Sequence, residues 1–228
     1  MRPVLKILEQ MKLKPKELLK PDPLLEFYAD IHRYYDLRDE TWVPAHISSI
    51  AKDNSYFKTI MERPDENKDK QKLVEATERG TAVHACVENF FTTGQPGNAG
   101  KWQPWLDQFL QYPNLKGWDC VACEYRMIDR RFGIAGTLDF LLEKDERLVL
   151  CDLKTKSPGF RKNHMDVKTQ LGGYVSLLYH NWPTLNIDQC RVYWVTNEKC
   201  ETDNYDVITC LDLYESARRN YRQTQLPI

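Results

Sequence analysis

Residues 133–156 read GIAGTLDFLLEKDERLVLCDLKTK, and this stretch decides both the fold and the chemistry. Two apolar runs, Gly133–Glu143 and Arg147–Lys154, flank Lys144 and Asp145, the pattern of two strands joined by a tight turn. Side chains two apart in a strand project to the same face. Asp152 and Lys154 therefore point one way and the apolar Leu153 the other, while Asp139 enters from the neighbouring strand. A carboxylate inside an otherwise apolar strand is costly unless it is paired or holds a cation. Asp139 and Asp152 thus form a candidate site for a divalent metal, with the backbone carbonyl of Leu153 as a further ligand. Hard oxygen donors suit one or two Mg2+ or Mn2+ ions better than Zn2+. Lys154 is expected to orient and help deprotonate a water, or to offset charge building on a phosphate.

Outward from this hairpin, a third strand is expected at 119–129, carrying Glu124 either as a metal or water ligand or as an ordinary exposed strand residue. Upstream, 73–91 has helical spacing, 92–100 is a turn and 102–112 is a second helix. In RGTAVHACVENFF, His84 is either a satisfied core histidine or a metal ligand, and Glu88 one turn on could hold its imidazole from behind. Gly80 allows close backbone approach at the start of that run. Downstream, helices are expected at 167–180 and 211–222, with a strand at 188–196. Gln170 and Tyr174 share a helix face that either holds a phosphate or base or is plain helix surface. The order gives a mixed α/β fold, a central mixed sheet flanked by helices. Its front, 1–70, is expected to be a mainly helical extension within a single domain, with 73–228 as the core. That front is broken by Pro15, Pro21, Pro23 and Pro44, holds an amphipathic helix with Leu5, Leu8 and Met11 on one face, and has an exposed polar loop at 63–72.

The composition bounds the function. The 228 residues are 42% hydrophobic and 29% charged, the balance of an ordinary globular chain rather than a disordered one. No apolar run approaches the roughly 18 residues of a membrane span. The first twenty residues have no apolar stretch or small-residue cleavage site, so no secretory signal is expected and the cytoplasm, of viral or bacterial origin, is the expected compartment. Seven cysteines, an odd number, are expected to be reduced thiols. Cys120 and Cys123 form a CxxC without a second one, and Cys190, Cys200 and Cys210 are spaced too evenly for an iron–sulfur cluster, so none is expected. A net charge of −1 hides a basic stretch, Lys154, Lys156, Arg161, Lys162, His164 and Lys168, that starts inside the carboxylate motif. Cations beside a metal site suit a polyanionic substrate.

Taken together, RGTAVHACVENF with His84, Glu124, GxxGxxD ending at Asp139, DLK at 152–154 and QxxxY at 170–174 resemble the PD-(D/E)XK nucleases of the RecB-like branch. The resemblance covers about residues 80–174. WVPAHISSIAKD at 42–53 and RGTAVHACVENF are also similar to segments of the mitochondrial genome maintenance exonucleases and their phage-encoded relatives, with Ala45-His46 where those have Ser-Val. The resemblance implies a restriction-endonuclease-like core, a histidine and two acids on metal (His84, Asp139, Asp152), a lysine aiding water (Lys154), and DNA contact by Gln170 and Tyr174. It also implies a DNA exonuclease acting on single-stranded ends in replication, recombination or repair, with Trp42 and Tyr56 as candidate stacking groups. A structure-specific endonuclease and a catalytically inert nucleic-acid-binding module stay as alternatives.

Overall fold

The computed structural model describes residues 19–53 and 66–225. The expected helix at Leu5, Leu8 and Met11 and the candidate stacking group Tyr56 lie outside these. Among the described residues are a three-stranded sheet and a six-stranded one. The large sheet contains β4 (Ala45–His46), β5 (Asp119–Asp129), β6 (Ile134–Lys144), β7 (Arg147–Thr155), β8 (Gln189–Val195) and β9 (Cys200–Tyr205). It is mixed: β5–β6, β6–β7 and β8–β9 are antiparallel, while β4–β6 and β7–β8 run parallel. The hairpin expected from residues 133–156 forms β6 and β7, with its turn one residue later than read. Asp145 and Glu146 both have positive φ, 49° and 63°, which matches the right-handed twist of the two strands across a two-residue turn.

Helices cover both faces. Leu148 and Leu150 of β7 join one core with α1 (Ile47–Asp53), α4 (His164–Asn181) and α5 (Val207–Gln225). The alternate residues Val149, Cys151 and Leu153 join the other core with α2 (Glu66–Thr93) and α3 (Gln103–Leu110). By this alternation Asp152 and Lys154 fall on the α4 side.

Three expectations are corrected. The front of the chain, read as mainly helical, folds over residues 19–53 into β1 (Leu25–Tyr28), β2 (Arg33–Asp36), β3 (Thr41–Trp42), β4 and the short helix α1. The prolines suggested breaks, but Phe27, Tyr28, Tyr34, Tyr35 and Trp42 are strand-forming residues whose pairing is antiparallel. The polar loop expected at 63–72 is helical from Glu66, since a run of Glu, Lys, Asp and Gln without glycine or proline does not resist helix. A strand, β9, follows the one expected at 188–196, and its polar CETDNY pattern hid it.

Two contacts dock the small sheet on the large one. Arg130 forks onto both oxygens of the buried Asp36, at 2.6 and 2.9 Å, and reaches Asp22 at 3.0 Å. Beneath this ion pair Leu25, Tyr34, Val43, Ile128 and Ala135 form a small core. On the opposite side, α4 meets α5 without side-chain spacers: a β-carbon at Gly172 would fall 1.9 Å from the Cys210 carbonyl oxygen. Gly172→Ala is therefore expected to cost about 3 kcal/mol and to lower the thermal midpoint by roughly 6–12 °C. A variant that melts with the wild type in calorimetry would refute this packing.

Candidate active site

The site begins where the sheet opens. β6 pairs with β5 along one edge, whereas its other edge is shared: Ile134 and Ala135 pair with β4, and Phe140–Lys144 pair with β7. Gly136–Asp139 have no strand on that side, and β7 from Asp152 onward pairs only with β8. The Asp139 carboxylate closes the fork by accepting a hydrogen bond from the Leu153 amide at 2.6 Å. Opposite it, the ladder skips Glu124, which holds φ at +45° inside β5. Such left-handed backbone costs a non-glycine residue about 1–3 kcal/mol and clusters at functional sites. It turns the Glu124 side chain towards the opening.

His84 reaches the opening from α2. Its Nε2 donates to the Leu153 carbonyl at 2.9 Å, and its Nδ1 lies 3.5 Å from Glu124 and 3.8 Å from Asp139. His84, Glu124 and Asp139 can bring one donor atom each within 4.8 Å of one another. From the other face, Lys154 Nζ donates to Asp152 Oδ1 at 2.9 Å and to Gln170 Oε1 at 3.0 Å. Gln170 Nε2 in turn donates to the Tyr174 hydroxyl at 2.7 Å. Asp152 has no solvent exposure, and its Oδ2 has no hydrogen bond although the Lys154 ammonium is 2.9 Å away.

The electrostatics follow from this crowding of acids. Burial raises the Asp139 pKa to about 7, with His84 pulling against it and Asp152 adding to it. Burial alone would lower His84, but Asp139 and Glu124 outweigh it and lift the imidazole to about 9. Burial likewise opposes the charge on Lys154, yet Asp152 and Asp139 raise its pKa, so it is an ammonium at neutral pH. Destabilised, clustered carboxylates and a buried Asp152 Oδ2 that accepts no hydrogen bond are what a divalent cation would relieve, and the donor set fits one.

The sequence-derived residues fall into groups. His84, Glu124 and Asp139 converge; Asp152 stands behind them, tied to Lys154. The Leu153 carbonyl is engaged by His84 Nε2. The carboxylates facing His84 Nδ1 are Glu124 and Asp139 rather than Glu88. Gln170 and Tyr174 are not plain helix surface: Tyr174 is 5% exposed, and both line the same cavity as Lys154. Lys156, just past the end of β7, is half-buried, and Arg161 is exposed. Lys162 pairs with Asp203 at 3.0 Å and Lys168 stacks over Tyr205 at 5.2 Å, both residues of the unforeseen β9. Trp42 packs among Tyr28, Tyr35 and Arg33 on the small sheet, away from the cavity. The cavity, about 310 Å3, continues instead to Phe27, His32, Tyr34 and His46, which the sequence reading passed over. The aromatic alternation of LEFY and RYYD was the available signal.

One comparison with known proteins gives a family. The model of the PD-(D/E)XK nuclease superfamily matches residues 102–225, a span that holds Glu124, Asp139, Asp152, Lys154, Gln170 and Tyr174 but neither His84 nor the small sheet. No curated protein matches the chain. A solved structure described as "Crystal structure of SSO0001" is similar over 75% of this chain and 84% of that one, at 14% identity and a TM-score of 0.31, too loose a likeness to carry an argument.

Two outcomes are expected. In metal-free protein the His84 ring titrates near 9 by NMR, and Asp139→Asn lowers that midpoint by about one to two units. Because the folded-state value lies above the ordinary 6.5, the stabilisation it lends is fully present below 6.5 and is lost as pH rises through 9. A midpoint at or below 6.5 would refute the arrangement. Separately, Lys154→Ala leaves the Asp152 carboxylate buried and unpaired and costs about 3 kcal/mol in denaturant unfolding, while Asp152→Asn with Lys154→Met recovers most of it. An equally unstable double variant would contradict this.

Proposed function

The chain belongs to the PD-(D/E)XK nuclease superfamily, a family of metal-dependent nucleases, and from that premise we propose that it is a DNA exonuclease of the RecB-like branch, related to the mitochondrial genome maintenance exonucleases and their phage-encoded relatives. It acts on single-stranded ends, in replication, recombination or repair, with Mg2+ or Mn2+, in a reducing cytoplasm to which seven unpaired cysteines are suited. Among the described residues no helix is long and apolar enough to cross a membrane.

The convergence of His84, Glu124 and Asp139 on one point, with the Lys154 ammonium beside it, carries the reading. His84, Asp139 and Glu124 would hold the cation, with Asp152 adding the oxygen that accepts no hydrogen bond. A divalent ion held by these residues would lower the pKa of a bound water and polarise the scissile phosphate. Lys154, already protonated, orients the water and offsets charge building on the phosphate rather than accepting a proton. Gln170 holds Lys154 in place, and Tyr174 holds Gln170, so QxxxY acts first by positioning the lysine. Lys156, Arg161, Lys162 and Lys168 flank the path of the strand and attract its phosphates. The small cavity that these acids line together with the rings of the small sheet supports a single strand over a duplex.

The test is digestion of end-labelled linear single-stranded DNA beside the same DNA circularised, with Mg2+ or Mn2+. The linear strand is expected to disappear and the circle to survive. Asp139→Asn, which keeps an acceptor for the Leu153 amide, is expected to slow digestion on the order of 100-fold or more. Cleavage of the circle would instead identify an endonuclease, and DNA binding without cleavage would identify an inert binding module.

A further inference from the structure

The cavity at the sheet opening has two unlike ends. One end is the acid cluster with Lys154. The other is a wall of rings from the small sheet and the segment after it: Phe27 meets His32 edge-on at 5.3 Å, and His32 meets His46 at 5.0 Å. One hydroxyl fixes both imidazoles, since Ser48 Oγ lies 3.2 Å from His32 Nε2 and 2.8 Å from His46 Nδ1. Each ring keeps its second nitrogen, His32 Nδ1 and His46 Nε2, outside these hydrogen bonds. We propose that this wall is a pocket for one unpaired nucleobase next to the scissile phosphate, and that Phe27, His32 and His46 are specificity-determining residues for single strands. The inference rests on the exonuclease reading above and adds the part of the substrate that is recognised.

Three observations carry it. First, the ligand must be amphipathic: an anion at the end holding Lys154, and a flat, hydrogen-bonding group at the ring end, which together describe a nucleotide. Bases stack on aromatic side chains with little regard to sequence. Secondly, the rings themselves are neutral. Burial pulls His46 down to about 4, with His32 and Lys52 adding to it, and burial and Lys52 lower His32, so the rings suit a base, with Lys52 as the cation beside them in the cavity. Thirdly, about 310 Å3 is at the small end for ligand sites, roughly 300–1,000 Å3. That volume suits one base better than a base pair with its two backbones. The wall is also held in register: Tyr34, next to it, donates or accepts at 2.8 Å with Thr137 of β6, and Arg130 clamps Asp36 on the same strand.

The experiment uses the full chain and linear single-stranded oligonucleotides carrying one abasic residue at each of the terminal positions in turn, from either end. Wild-type protein is expected to lose on the order of 5- to 150-fold in rate at one position and little elsewhere. Phe27→Ala and His32→Ala, each checked for an unchanged thermal midpoint, are expected to slow the intact strand and to erase that difference, with KM moving more than kcat. Equal rates on intact and abasic strands by the wild type would overturn the pocket while leaving the exonuclease reading in place. An effect spread evenly over several positions would also overturn it, since stacking would then lie along the strand and not in one pocket. Failure to digest any linear single strand would overturn the exonuclease reading first, and the pocket with it.

Discussion

A carboxylate without solvent exposure, Asp152, sits in the middle of an apolar strand, and the rest of the site is arranged to make that tolerable. Its charge is met by Lys154 two residues on, which alternation brings to the same face. The ammonium is itself held by Gln170, and Gln170 by Tyr174. The chain from β7 to α4 is therefore one continuous polar network under an apolar core. A network of this kind stabilises only when it is complete, because a single missing partner leaves a buried charge alone. Lys154 is thus a structural counter-ion and a candidate catalytic group at once.

The second constraint is the interrupted ladder. A continuous β6–β7 pairing would fill the edge with backbone hydrogen bonds and leave no room for a substrate. Pairing stops at Phe140 and Cys151, and the Asp139 side chain takes over the amide that the ladder would have used. On the far edge, Glu124 adopts left-handed backbone and leaves its own place in the ladder. The two irregularities face each other. They let α2 send in His84 from one face of the sheet while α4 supports Lys154 from the other. The strain at Glu124 is compensated by the pairing that surrounds it on both sides.

The small sheet gives the site its depth. Arg130, at the β5–β6 turn, uses both oxygens of Asp36 to fix β2, and this places the rings of β1 and β2 across the opening. Without it the acids would lie on an open edge. The same docking explains why aromatic residues near the start of the chain, remote in sequence from the acids, line the same cavity.

The hairpin, its two acids, the lysine and the QxxxY pair were legible in the sequence because they obey local rules: a period of two in strands, of 3.6 in helices, and the cost of a charge among apolar residues. His84 was legible as a candidate for the same reason, a polar ring inside an apolar helix. The small sheet was not, since its strands are short, are flanked by prolines and are docked by an ion pair to a residue about a hundred positions away. Nor was β9, whose polar residues pair through backbone groups common to all sequences. The role of Glu88 was read from helical spacing, and the carboxylates that face His84 come instead from two strands. Sequence thus determined which residues make up the candidate site. Tertiary structure alone decided which of them meet, because the meeting point is a gap between strands, and a gap is made by pairing that stops.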